Sequence, residues 1–281
     1  MNIKITSDST CDLSQELLEK HDITIFPLTV IKDNASFKDN VTITPADIFE
    51  HVANGGNLCS TSAGSLGDYL DLFSKYSAEY DGVIHVSLGS GFSSSYQNAC
   101  LAASEFDNVR VIDSQNLSTG QGHVVLKVCE LAQNCEDLDK LQQEAQAYTS
   151  RVEASFLLDR LEYMVKGGRC SAAAALGANL LNLKPCIEVK DGKMGVVKKY
   201  RGNYAKCLAN YVKDRLDARE DIVHDLLFLT YTPVSEPCLE AVKDAIATYG
   251  SDFAEVIETT AGCTISCHCG PGTLGVLFVR K

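Results

Sequence analysis

Gly82-Val83-Ile84-His85-Val86-Ser87-Leu88-Gly89-Ser90-Gly91-Phe92-Ser93-Ser94-Ser95 is the stretch that decides the fold. The valine and isoleucine content of Gly82 to Val86 suits a central strand. Ser87 to Gly91 break it, and helical spacing resumes near Ser94 and runs to about Glu105. Strand, polar loop and helix in that order are the repeating unit of an α/β protein with a mostly parallel sheet.

Upstream, Ile3 to Thr6 and Ile23 to Val30 read as strands separated by a short helix opening at Ser14. Thr44-Pro45-Ala46-Asp47 has a capping residue, proline at the first helical position and an acid at the third, which predicts a helix ending before Gly55-Gly56. An amphipathic pattern from about Ser65 to Tyr80 precedes the deciding stretch. Downstream come the strand Val109 to Ile112 and two helices within Leu117 to Arg151, broken at Asn134 and Cys135.

After Val152 the pattern begins again. Ala154 to Leu158 is a strand, and Arg160 to Lys166 is a short helix stopped by Gly167-Gly168. Ala172 to Leu183 reads as a helix apolar on nearly every side, buried all round or lining a cavity. A hairpin of Ile187 to Val189 and Met194 to Tyr200 turns at Asp191-Gly192. Helices Tyr204 to Leu216 and Glu236 to Tyr249 alternate with strands Leu226 to Tyr231, Ala254 to Glu258 and Leu274 to Val279. The expectation is two α/β domains, residues 1–155 and 156–281, each with a mostly parallel sheet and with a ligand site at their interface.

A formal net charge of −12 argues against nucleic-acid binding, because neutralising phosphates needs clustered Lys and Arg. No apolar run approaches the roughly eighteen residues of a membrane span. Met1 to Asp8 lacks the flank and apolar core of a secretory signal, so a cytoplasmic protein is expected. In that compartment the 12 cysteines read as buried free thiols. Cys263, Cys267, His268 and Cys269 concentrate soft ligands, yet as a strand this run would put Cys267 and Cys269 on one face and His268 on the other. No metal site and no cofactor are expected.

Three hydroxyl-rich segments stand where strands give way to helices: Thr6 to Thr10, Ser60 to Ser65 and Gly89 to Ser95. Open α/β sheets place ligands at such junctions, and hydroxyls with free amides there favour an anion. Each segment is also an ordinary helix cap; three together point to a shared anion site. A fourth polar segment, Gly262 to Gly275, sets His268 before the turn Gly270-Pro271-Gly272. Serine with histidine raises a hydrolase or acyltransferase reading on Ser93 and His268, acting on lipid acyl groups. The nucleophile-elbow pattern is missing, since Gly91-Phe92-Ser93-Ser94-Ser95 lacks the second glycine, and no phosphate-binding P-loop motif occurs.

Taken in order, Ser7-Asp8-Ser9-Thr10-Cys11-Asp12-Leu13, Thr61-Ser62 with Ser65, Ser90-Gly91-Phe92-Ser93-Ser94-Ser95-Tyr96-Gln97, Val111-Ile112-Asp113-Ser114, Lys166-Gly167-Gly168-Arg169 and His268-Cys269-Gly270-Pro271-Gly272 resemble the DegV family over nearly the whole chain. The resemblance implies a long-chain fatty acid carrier like the fatty-acid-binding subunit of bacterial fatty acid kinase. Such a carrier is not itself catalytic; a separate ATP-dependent subunit converts the bound acid to an acyl phosphate for phospholipid metabolism. It also implies that Thr61, Ser62, Ser93, Ser94 and His268 surround the carboxylate, that Arg169 and Arg201 lie on the kinase-facing surface, and that membrane contact is at most transient. Gly64 and Ser93-Ser94-Ser95 depart from the proline and the Ser-Gly-Thr run common in the family, while the hydroxyls survive. An acyl chain of about fifteen methylenes, at about 0.8 kcal/mol each, yields on the order of 12 kcal/mol before association costs, so the tail supplies affinity and the head group sets orientation.

Overall fold

The computed structural model describes residues 1–175 and 183–281. The first half runs β1 (Ile3–Asp8), α1 (Gln15–Lys20), β2 (Ile23–Phe26), β3 (Thr29–Lys32), β4 (Ala35–Lys38), α2 (Pro45–Ala53), β5 (Ser60–Ser62), α3 (Leu66–Ser77), β6 (Gly82–Ser87), α4 (Ser95–Ala103), β7 (Val109–Asp113), α5 (Ser118–Ala132) and α6 (Leu138–Tyr148). The predicted caps are present. Ser14 accepts from Leu17 N at the start of α1, and Thr44 with Asp47 forms a reciprocal capping box under Pro45.

Strands β2-β1-β6-β7 form one sheet in which every pairing is parallel. Its central strand β6 is buried along its whole length, as its apolar composition requires. The expected single strand Ile23 to Val30 is instead two strands in different sheets. Pro27-Leu28 separates them, and Pro27 offers no N–H to continue a ladder. Beyond that break, β3 joins β4 and β5 in a small antiparallel sheet that carries Thr61.

The second half comprises β8 (Val152–Leu157), α7 (Glu162–Gly167), α8 (Ser171–Ala174), β9 (Leu183–Lys190), β10 (Lys193–Arg201), α9 (Tyr204–Leu216), β11 (Ile222–Tyr231), α10 (Glu236–Tyr249), β12 (Glu255–Thr260), α11 (Cys263–Cys269) and β13 (Leu274–Arg280). Their sheet has the order β10-β9-β8-β13-β11-β12. It is α/β in composition but not mostly parallel: among the described residues only β11 and β12 pair in parallel. Two features reverse the strands. Asp191 and Gly192, at φ of 51° and 69°, close β9 and β10 into a tight hairpin. The last strand, β13, inserts between β8 and β11, antiparallel to both.

Two further readings change. Leu183 begins β9 rather than ending a helix, and of the expected apolar helix only Ala172 to Ala174 is seen as helical, within Ser171–Ala174; residues 176–182 of that expectation lie outside the described residues. Cys263–Cys269 is helical, not extended. Cys263 and Cys267, four apart, therefore share a face and pack with Cys59, while Cys269 turns into the main core. No cluster of metal-ligating side chains forms among the described residues.

Helix α5 lies between the two large sheets. Gln121 Nε2 donates to Ser7 Oγ at 2.9 Å on one side, while on the other Thr119 and Thr230 hydroxyls meet at 2.6 Å and His123 Nε2 lies 3.1 Å from Leu277 O. One apolar core accordingly runs from Ile5 and Val83 through Val124 and Val128 to Phe156, Phe228 and Leu277.

Candidate functional site

Three segments distant in sequence converge on one cavity of about 300 Å³, at the lower end of the roughly 300–1,000 Å³ typical of small-molecule sites. Strand β5 and the residue after it contribute Thr61, Ser62 and Ala63; the loop after β6 contributes Leu88, Phe92, Ser93 and Ser94; α11 contributes Thr264, Ile265, His268 and Cys269. All five residues expected around a carboxylate, Thr61, Ser62, Ser93, Ser94 and His268, therefore stand on its wall. Arg169 is there too, at the exposed rim, its Nη1 donating to Gly167 O at 2.7 Å. Arg201 is not; it lies exposed at the end of β10.

At the polar end, Thr61 Oγ1 and His268 Nε2 are 2.8 Å apart. Nδ1 of the same ring is buried without a partner among the described residues. Burial, assisted by the positive charge of Arg169, pushes the His268 pKa down to about 4, so the ring is neutral near pH 7 and presents one donor and one acceptor. Gly167 makes room for it, because a β-carbon at that position would collide with Nδ1. Ser93 Oγ lies 2.9 Å from Ser95 Oγ and accepts from Ser95 N at 3.1 Å, while Ser95 Oγ in turn accepts from Gly64 N at 3.3 Å. Asn98 Nδ2 donates to Gly64 O at 2.7 Å, tying the Thr61 segment to α4.

The remaining wall is apolar, formed by Leu28, Leu88, Phe92, Leu117, Met164 and Met194 among others. A small, almost wholly apolar hollow of about 30 Å³ adjoins it, sharing Leu117, Ile265 and Cys269 and extending to Phe156 and Leu277 of the six-stranded sheet. The described part of the helix expected to wall a tunnel, Ala172 to Ala175, is not among the lining residues.

The Thr6 to Thr10 segment, expected to join the anion site, is buried scaffold instead. Asp8 accepts from Tyr69 OH at 2.6 Å, Ser87 Oγ at 2.8 Å and Leu88 N at 2.7 Å, with His85 Nε2 at 3.3 Å. Burial alone raises the Asp8 pKa, but His85 and these donors outweigh it and hold the carboxyl below its usual range. Asp8 thereby anchors the loop that presents Ser93. The amides at the start of α11 are also occupied from within: Cys263 N and Thr264 N donate to Asp39 at 2.8 and 3.2 Å, and Gly262 N to Asp12 at 2.9 Å. Asp12 and Asp39 carried no sequence signal as caps, since each lies more than two hundred residues from the helix it serves.

This is an α/β protein built around an apolar pocket with a polar end made of hydroxyls and one neutral imidazole. A family model described as "Uncharacterised protein, DegV family" matches residues 2–281. The chain is 31% identical over 283 residues to a DegV domain-containing protein of Clostridium acetobutylicum, covering 99% of each. In structure it is similar to a fatty-acid-binding DegV family protein from Thermus thermophilus, with a TM-score of 0.89, 29% identity and 100% of each chain covered. It is also similar to DegV, a fatty acid binding protein from Bacillus subtilis, with a TM-score of 0.81, 26% identity and the same coverage. The chain belongs to the DegV family.

Proposed function

We propose that this protein binds a long-chain fatty acid and presents its carboxylate to a separate ATP-dependent kinase, which makes the acyl phosphate used in phospholipid metabolism. The observation that carries the reading is that Thr61, Ser93 and His268, from three distant segments, line one cavity together with Leu28, Leu88, Phe92, Leu117, Met164 and Met194. A carboxylate leaving water needs donors, and two hydroxyls and an imidazole N–H supply them, with Arg169 adding positive charge at the rim. The tail takes the apolar wall. That two solved relatives are fatty-acid-binding DegV proteins supports the same ligand class.

In this reading the chain divides into two α/β units near residue 155, the head group is reachable by a partner, and Arg169 and Arg201 belong to the surface that meets the kinase. The protein works in the cytoplasm without a cofactor of its own, touching the membrane only transiently. No described helix is long and apolar enough to span a membrane. Hydrolase chemistry on Ser93 finds no support in the geometry: Ser93 pairs with Ser95, the imidazole pairs with Thr61, and Nδ1 lacks the third group that orients a catalytic base.

Native mass spectrometry followed by denaturing extraction tests the ligand class. Near-stoichiometric fatty acid supports the reading, and a protein that stays empty when fatty acids are added sinks it. ATP-dependent acyl phosphate formation with a fatty acid kinase catalytic subunit tests the partner. Arg201→Glu should lower that rate while leaving fatty acid affinity unchanged.

A further inference from the structure

The small hollow beside the main cavity has a construction that the head-group arrangement does not explain. One row of residues crosses the six-stranded sheet there: Phe156 on β8, Gly275 on β13, Thr230 on β11 and Thr259 on β12, each directly opposite the next. Residues paired in this way share one face of a sheet. The first three line the hollow. Gly275 brings no side chain to the row and so leaves a gap in it. A β-carbon at that position would stand 3.1 Å from Phe156 Cβ and 3.4 Å from Leu277 Cδ1, as well as 2.6 Å from Ser155 O. Glycine inside a strand often marks a place where a ligand or another backbone comes close.

Beyond the gap the row turns polar. Thr230 Oγ1 meets Thr119 Oγ1 at 2.6 Å and Thr259 Oγ1 at 2.8 Å. Ser118, which also lines the hollow, donates from Oγ to Asp12 at 2.6 Å. Thr259 and Asp12 line a different groove, a polar one, so these hydrogen bonds form a partition between the two spaces. With its hydroxyls engaged in this way, the hollow has an almost wholly apolar surface.

Its volume of about 30 Å³ matches one water molecule's share of the liquid, yet an apolar wall denies water the two to four partners it needs. A methyl group suits it better. Leu117, Ile265 and Cys269 are shared with the main cavity, whereas Thr61, Ser93 and His268 line only the main cavity. The hollow therefore continues the apolar wall away from the head-group residues.

Resting on the fatty-acid reading above, we infer that the hollow at Gly275 is the terminal part of the acyl site and sets the length of acid preferred. It seats the methyl end of the chain, Phe156 and Leu277 flank it, and the hydroxyl partition behind Thr230 stops a longer chain. Breaking that partition would strand buried hydrogen-bonding groups, which costs more than one further methylene gains.

Displacement of a fluorescent fatty acid by dodecanoate, tetradecanoate, hexadecanoate, octadecanoate and icosanoate tests this in the wild type, in Phe156→Leu and in Leu277→Val. In the wild type each added pair of methylenes should tighten binding about fifteenfold until the methyl end fills the hollow, and the next acid should gain nothing. Each variant enlarges the hollow from a different strand and should move the optimum to a longer acid, while acids too short to reach it bind as in the wild type. The two variants are independent, so either one that folds decides the matter. An optimum unmoved in the folded variants overturns the inference, as does a wild-type affinity that climbs through icosanoate without a limit. If no acid of the series binds the wild type, the proposed function falls and takes this inference with it.

Discussion

Thr61 Oγ1 and His268 Nε2, separated by 207 positions in the chain, meet at 2.8 Å and join the small antiparallel sheet to a helix of the second half. The contact leaves the other ring nitrogen buried without a partner among the described residues, packed against Gly167. Thr61→Val removes a donor from the head-group end at constant volume. Fatty acid affinity measured calorimetrically should fall about tenfold, matching the loss of roughly one hydrogen bond to a charged group, with little change in melting temperature.

Gly167 touches no ligand, yet it should control one. A methyl group there collides with the imidazole of His268. Gly167→Ala should therefore displace the ring and weaken head-group binding by a similar factor, while the exposed residue after it, at a positive φ suited to glycine, keeps the helix stop intact. Wild-type affinity in Gly167→Ala would show that the ring position does not matter.

Stability should peak between acid and alkaline arms, and the sign follows from three buried groups. Burial lowers the pKa of His268 and His123 to about 4, below the roughly 6.5 of an unfolded histidine. The unfolded chain then binds more protons between those values, so stability present above about 6.5 is lost as pH falls through 4. Burial raises Asp12 to about 8, opposed by its Ser118 and Gly262 donors, so the folded state holds the extra proton and stability declines as pH rises towards 8. Denaturant midpoints across this range should be highest near pH 6.5. Asp12→Asn should flatten the upper arm and steepen the acid arm, where the Asp12 proton opposes the histidines, and φ at this position is 50°, a conformation asparagine accepts.

Asp8→Asn tests the anchor of the Ser93 loop. Replacing the carboxylate beside buried His85 breaks a pairing and leaves donors aimed at an amide, and breaking such a buried arrangement costs about 3–5 kcal/mol. Chemical denaturation should show a loss of that order, with fatty acid affinity falling because Leu88 to Ser95 is no longer held. An unchanged midpoint would remove Asp8 from this role.

Local signals in the sequence were reliable wherever neighbours in the chain decide the outcome. Thr44-Pro45-Ala46-Asp47 announces its capping box, Asp191-Gly192 its hairpin, and Tyr204–Leu216 and Glu236–Tyr249 their full helices. What periodicity does not encode is which sheet a strand joins. Ile23 to Val30 looks continuous by composition, and only Pro27 hints that its halves part company. The insertion of β13 between β8 and β11 rests on contacts more than one hundred residues apart for β8, so the antiparallel character of the second sheet had no local sign. The hydroxyl segments around Thr61 and Ser93 and the polar segment of His268 stood out in the sequence singly, while the resemblance to a family was what grouped them. Spacing alone does not bring Thr61 to His268, and it does not show that the Thr6 to Thr10 segment stays off the cavity wall.

Helix α5 lies against both large sheets, with Gln121 bonded into one and Thr119 and His123 into the other. A scaffold stitched through its middle in this way cannot part like a clam shell to admit a ligand, because separating the sheets would unmake a shared core and strand several polar groups. Exchange of a bound ligand would thus be confined to rearrangement at the rim of the pocket, around the exposed Arg169 and the half-buried Met194. The same stitching makes the two halves melt together, as one thermal transition rather than two.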